Sequence, residues 1–168
     1  EESSWIPRPR MVADDLHPRV FIWHRHRVSV LDCETLQLRD LLTADPLRWT
    51  LPDGTLVEIA RDLTFAPEAN LLFLRRTNPD DGSFETAVVD AASGAVVRRI
   101  PATAAHMSVN RAGTRLLLSS YPMELHLVNV IDGTILRLPY PPDIESWPFS
   151  EDLPGPAVLD EPHGRIIV

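Results

Sequence analysis

Apolar and polar positions alternate in short runs along the chain, and the runs recur. Residues 62–74 lie on residues 106–118 at an offset of 44. Leu63 falls on Met107, Phe65 on Val109, and Leu72, Phe73 and Leu74 on Leu116, Leu117 and Leu118. The second halves of the same units align at an offset of 39, which brings Val89 to Val128, Gly94 to Gly133 and Arg98 to Arg137. The difference of five is one shortened loop. Residues 11–22 repeat residues 107–118 at an offset of 96, with Met11 on Met107 and Arg19 on Arg115. At the far end, residues 159–168 repeat residues 109–118 at an offset of 50, with Arg165 on Arg115. A strand, tight turn and strand thus occur four times, and a second strand pair follows three times.

Within each unit the first strand alternates, as at Leu63 and Phe65, which predicts one buried face. The second is a continuous apolar run (71–74, 116–118), suited to a strand covered on both faces. A third strand (28–30, 87–89, 126–128), a turn at Ser93-Gly94 or Asp132-Gly133, and a fourth strand complete it. Proline clusters between units, and no capped helical periodicity is sustained, so the chain reads as all-β. A spacing near 44 with four short strands per unit predicts a β-propeller of about three and a half four-stranded antiparallel blades. The predicted organisation is an N-terminal extension (1–10), blades at about 11–42, 59–100 and 104–139, and a half blade at 155–168.

The unit Ala87-Val88-Val89-Asp90-Ala91-Ala92-Ser93-Gly94-Ala95-Val96-Val97 resembles the repeats of YVTN and quinoprotein-like propellers, and shares the general blade plan of WD-repeat proteins. The Trp-Asp and Gly-His pairs of strict WD repeats are absent. The resemblance covers roughly residues 11–168 and implies architecture far more than function. Fewer than four blades rarely close a ring, and an apolar Ile166-Ile167-Val168 edge invites pairing. The expectation is part of a larger or split propeller, its remaining blades supplied by the parent chain or another subunit. Glu1 rather than Met opens the chain, pointing to processing, trimming or a fragment, so its compartment stays open.

Composition narrows the chemistry. A net charge of −8 argues against a nucleic-acid surface, which needs a basic stripe. All 16 basic residues are Arg, which removes Schiff-base and P-loop lysines from consideration. The single cysteine, Cys33, allows neither an intrachain disulfide nor a multi-thiolate zinc site. No run approaches eighteen apolar residues, so membrane insertion is not expected. His24 and His26 could share a metal but lack a third ligand, and read as turn histidines. The oxygen-rich 78–82 segment lacks the terminal Glu of a calcium loop and reads as an Asx turn. Ser119-Ser120 lacks a nucleophile elbow. No catalytic residue, metal site or cofactor is predicted.

Alternating strand direction puts three long connections, 43–58, 76–84 and 140–154, on one face of the disc, opposite the tight turns. Ordered loops on a rigid scaffold commonly carry binding. These contain or border Arg48, Trp49, Arg76, Tyr140 and Trp147, the aromatic and Arg types enriched in protein interfaces, and they are the predicted partner-binding residues. Serving only as plugs that pin loops to the scaffold is the competing role for these aromatics. The function expected is a non-catalytic protein-interaction scaffold within a larger assembly. The alternatives are a substrate-binding or gating propeller of an enzyme (quinoprotein-like dehydrogenase or prolyl-type peptidase) and a small-ligand or carbohydrate binder.

Overall fold

The computed structural model describes residues 9–24, 26–43, 47–50, 56–60, 62–78, 80–102, 106–120, 124–139, 158–160 and 165–167, by backbone alone at 47–50, 56–60 and 120. Among them every regular element is a strand. The first sheet contains β1 (Arg10–Asp14), β2 (Arg19–His24), β3 (Arg27–Asp32) and β4 (Leu38–Thr43). A hairpin follows, β5 (Leu47–Thr50) and β6 (Leu56–Ala60). The second sheet contains β7 (Leu63–Ala66), β8 (Leu71–Thr77), β9 (Phe84–Asp90) and β10 (Val96–Ile100). The third contains β11 (His106–Val109), β12 (Arg115–Ser120), β13 (Glu124–Asn129) and β14 (Ile135–Leu138). A last pair is β15 (Val158–Asp160) and β16 (Arg165–Ile167). Neighbouring strands in each sheet are sequential and antiparallel.

The sheets stack face to face, with the first strands β1, β7, β11 and β15 adjacent in that order. Between the first and second sheets lie Phe21, Trp23, Val28, Leu63, Phe65, Leu72, Leu74 and Val89. Between the second and third lie Ala66, Phe73, Val88, Ile100, Met107, Leu116, Leu118 and Val128. Leu117 and Leu125 meet Leu159 and Ile166 of the last pair. The second sheet is therefore covered on both faces, as its continuous apolar run requires. Phe65 and Val89 are buried; Val109, the counterpart of Phe65, is half-buried.

Two of the expected long connections are shorter or more ordered than the sequence pattern implied. The 43–58 stretch, with the two residues after it, forms the β5–β6 hairpin rather than a plain loop, its strands pairing from Leu47↔Ala60 to Thr50↔Leu56. The 76–84 connection contracts to 78–83, since Arg76 and Thr77 pair with Glu85 and Phe84 inside the sheet. The oxygens of that turn are engaged: Asn78 accepts from the Asp80 amide and Arg99, Asp80 pairs with Arg99, and Asp81 accepts from the Ser83 amide. It is the Asx turn expected. The 140–154 connection lies outside the described residues.

Candidate functional site

Strand direction divides the molecule into two ends of opposite character. At the tight-turn end, polar side chains are consumed by local backbone. Asp90 accepts from the Ala92 and Ser93 amides, Asp32 from those of Glu34 and Thr35, and Asn110 from those of Thr114 and Arg115. Hydrogen bonds from Ser93 hold the Asp90 carboxyl below its ordinary range, and those from Thr35 do the same for Asp32.

Longer-range ties join the sheets at this end. Arg19 reaches from buried Asp14 (2.7 Å) to Asn70 (2.5 Å), its guanidinium lying over Phe21 and Phe65. Burial works against the Asp14 carboxylate, but bonds from the Leu16 amide, Arg19 and His17 outweigh it and keep its pKa low. Arg111 pairs with Asp15 and Glu68 at once, uniting three turns beside a hollow of about 270 Å³ lined by Ala13, Phe65, Pro67 and Val109. Among the described residues this end is without a buried side-chain N or O that lacks a hydrogen-bond partner.

The opposite end differs. Trp23 Nε1, Asp62 Oδ2, Arg75 Nε, Arg76 Nη2 and His106 Nε2 are buried without a hydrogen-bond partner among the described residues. All five sit at the end of their sheets opposite the turns at Gly94, Gly113 and Gly133. Their placement follows from register. Asp62 precedes β7, opposite Arg75, whose amide donates to the Asp62 carbonyl at 3.2 Å. Arg76 lies directly across from Glu85 and donates to it at 2.9 Å, both side chains buried. Alternation sends Arg75 toward the third sheet and Arg76 toward the first.

Burial raises the Asp62 carboxyl above its ordinary pKa, opposed by the Met107 amide and by the charges of Arg10 and His106. Burial likewise lowers Arg75, opposed by Asp62. Arg10, Asp62 and His106 occupy the same position in three successive repeats, each at the entry of a first strand. Such groups can accept or donate hydrogen bonds at the disc face; they do not form a nucleophile–base pair. No three His, Cys, Asp or Glu side chains among the described residues gather as metal ligands. No helix among these residues is long and apolar enough to cross a membrane.

Of the predicted binding residues, Arg48 and Trp49 fall on β5, opposite Glu58 and Val57, so one hairpin carries both. Arg76 lies in the second sheet, paired to Glu85, rather than on a loop. Tyr140 and Trp147 lie outside the described residues. Asp62, Arg75 and His106 went unnoticed in the sequence, although a signal was there. A polar residue precedes each alternating strand at equivalent repeat positions, and Arg75-Arg76 interrupts an apolar strand.

No protein family matches the chain, and no curated protein matches it. Among solved structures it is similar to hydrazine synthase of Kuenenia stuttgartiensis, with TM-score 0.50 and 12% identity over 82% of this chain. It is also similar to the N-terminal domain of Nup159, with TM-score 0.49 and 13% identity over 83% of this chain. The chain spans 38% and 32% of those two chains. At such identity the likeness to hydrazine synthase concerns the fold alone, and that fold is a β-propeller. Stacked four-stranded antiparallel sheets with adjacent first strands therefore make this an all-β protein of the propeller type.

Proposed function

We propose that this chain is a non-catalytic propeller scaffold, part of a larger assembly, that binds a protein partner through its long-connection end. One observation carries the reading: the buried polar atoms left without a partner among the described residues all gather at that end, whereas the turn end satisfies its own. Buried polar groups without partners are rare, and a cluster of them asks for hydrogen-bonding company. The β5–β6 hairpin, with Arg48 and Trp49, belongs to this end, and Trp and Arg are the residue types on which protein interfaces most depend. In this reading Arg48, Trp49, Tyr140 and Trp147 are the anchors, and Arg76 contributes through its remaining Nη2 donor.

Site-specific photo-crosslinking in cells tests it. A crosslinker at Trp49 or Trp147 is expected to yield one discrete protein adduct, and one at Ile131 in the tight turn none. With that partner purified, Trp147→Ala is expected to weaken binding by about 2 kcal/mol with little change in stability. Adducts confined to the tight-turn end, or a Trp147→Ala variant that unfolds without losing affinity in its folded fraction, overturn the proposal.

A further inference from the structure

We infer, resting on the partner-binding reading above, that the partner inserts an Asn or Gln side chain into the rim of the seam between the first and second sheets, its carbonyl oxygen accepting from Trp23 Nε1 and Arg76 Nη2. Both donors face that seam. Phe21 meets Phe65 of the second sheet at 4.8 Å between ring centroids, and Trp23, two residues on along β2, shares its face. Arg76 shares a face of β8 with Leu72 and Leu74, which lie in one apolar cluster with Trp23. Trp23 is 0% exposed and Arg76 8% exposed. Each is the last residue but one of its strand, and the residue that follows is exposed at His24 and half-buried at Thr77. The two unpartnered donors therefore lie one residue below the rim, at the end where β5 runs beside β8.

Donor chemistry and charge decide what fits there. An indole N–H and a guanidinium N–H only donate, so the missing group is an acceptor. An aliphatic or aromatic insert would leave both donors buried and unpaired. The charge of Arg76 is already met: its Nε donates at 2.9 Å to Glu85, which is buried beside it. A further carboxylate would place an uncompensated charge next to Glu85, where burial makes it most costly. A neutral carbonyl oxygen carries no such penalty, and its two lone pairs can serve both donors. A carboxamide also brings an NH2 group, and the Glu85 carboxylate can accept more than its one bond from Arg76.

A side chain, rather than a backbone carbonyl, meets these limits, because the donors sit between two packed sheets where a strand cannot follow. The neighbouring seam has different chemistry. There Arg75 Nε and Asp62 Oδ2 are both unpartnered, a donor and an acceptor of opposite charge. Among the described residues, the seam between the first and second sheets is short of acceptors and of nothing else.

Titration of isotopically labelled protein followed by nuclear magnetic resonance tests this, the Trp23 indole signal being assigned by its loss in Trp23→Phe. The probe is N-acetylglutamine N-methylamide, with the corresponding glutamate and leucine compounds as comparators. The glutamine compound is expected to move the Trp23 indole proton saturably downfield, and the leucine compound to leave it in place. The glutamate compound is expected to bind at least about tenfold more weakly than the glutamine compound. Arg76→Lys keeps a cation against Glu85 but lacks the guanidinium fork, and should weaken the glutamine compound about threefold or more. Should that variant not fold, the three titrations of the parent chain still decide. An indole signal that none of the compounds moves means that the seam holds water only, and overturns the proposal. A leucine compound as effective as glutamine points to backbone carbonyls, and a glutamate compound as effective points to an acidic partner; either overturns it, as does unchanged affinity in a folded Arg76→Lys variant. A crosslinked partner at Trp49 together with an unmoved indole sinks this proposal alone. A saturable shift without any crosslinked partner leaves the carboxamide site standing and sinks the partner-binding reading.

Discussion

The tight turns show how single residues are held to a repeated geometry. Between the third and fourth strands each sheet begins its turn with Asp or Asn (Asp32, Asp90, Asn129) and needs a left-handed residue four positions later. Gly94 and Gly133 supply it at φ 75° and 79°, but in the first sheet the position is Leu36 at φ 56°. A left-handed conformation costs an L-residue roughly 1–2 kcal/mol, and Leu36 recovers little by burial, being 76% exposed. Leu36→Gly is therefore expected to raise stability by about 0.5–1 kcal/mol in urea unfolding. Gly94→Ala should do the reverse and more. A Cβ there would stand 2.2 Å from the Leu41 carbonyl oxygen, whereas one at Gly133 meets nothing nearer than Arg98 at 4.0 Å. The expected losses are about 3 kcal/mol or more at Gly94 and about 1–2 kcal/mol at Gly133, where only the backbone term applies. Equal losses at the two glycines would show that the contact between the first two sheets at Leu41 is not as close as described.

At the scale of the element, the seams explain an opposition between the two ends that unfolding against pH can read. Asp32, Asp90 and Asp132 have carboxyls held low by turn hydrogen bonds, so the stability they confer is present above the ordinary carboxylate range and is lost as pH falls. Asp62 has the opposite sign. Burial in the seam raises its pKa, so the folded chain holds a proton that the unfolded chain has already released. Its contribution is greatest below the ordinary pKa and is lost as pH rises through the raised value. Acidification from pH 7 to about pH 4 therefore sets the turns against Asp62. Asp62→Asn is expected to steepen the loss of urea stability over that interval, and an unchanged slope would mean that Asp62 does not titrate above its unfolded value.

Strands of this kind were largely legible in the sequence, and the reason is visible in the seams. Positions such as Phe65 and Val89 recur because the stack places equivalent residues in equivalent burial. The β5–β6 hairpin was not legible, because its residues fall between the aligned repeats and, flanked by proline and glycine, read as loop. Arg76 was misplaced for a related reason. Periodicity cannot distinguish a charged residue leaving a strand from one buried against a cross-strand Glu85, and that pairing depends on register across nine residues. The partners of Asp62 likewise come from separate repeats.

Across the whole molecule, stacking makes stability unequal in a predictable order. The second sheet has an apolar seam on each side, and five consecutive residues of β8 and of β9 are buried. Among the described residues the first and third sheets each have a complete sheet against only one face, and the β15–β16 pair contributes just Leu159 and Ile166 to its seam. Amides open locally at a free energy set by the packing that must be undone, so cooperative units with more burial exchange later. Opening β8 or β9 breaks two seams together, and those amides should exchange only through global unfolding. Opening β15–β16 breaks one small seam and one short ladder, and its amides should exchange fastest among the strands. The outer strands β4, β10 and β14 carry half-buried or exposed side chains apart from buried Ile100, and belong between these limits. Hydrogen exchange followed by mass spectrometry on the parent chain should return this order, with protection in β8 and β9 falling in step with global stability as urea is added. If β15–β16 exchanges as slowly as β8, the hairpin is bound more tightly than the Leu117–Leu159–Ile166 seam can account for. If all strands exchange together, the sheets unfold as one unit and their stacking is fully cooperative.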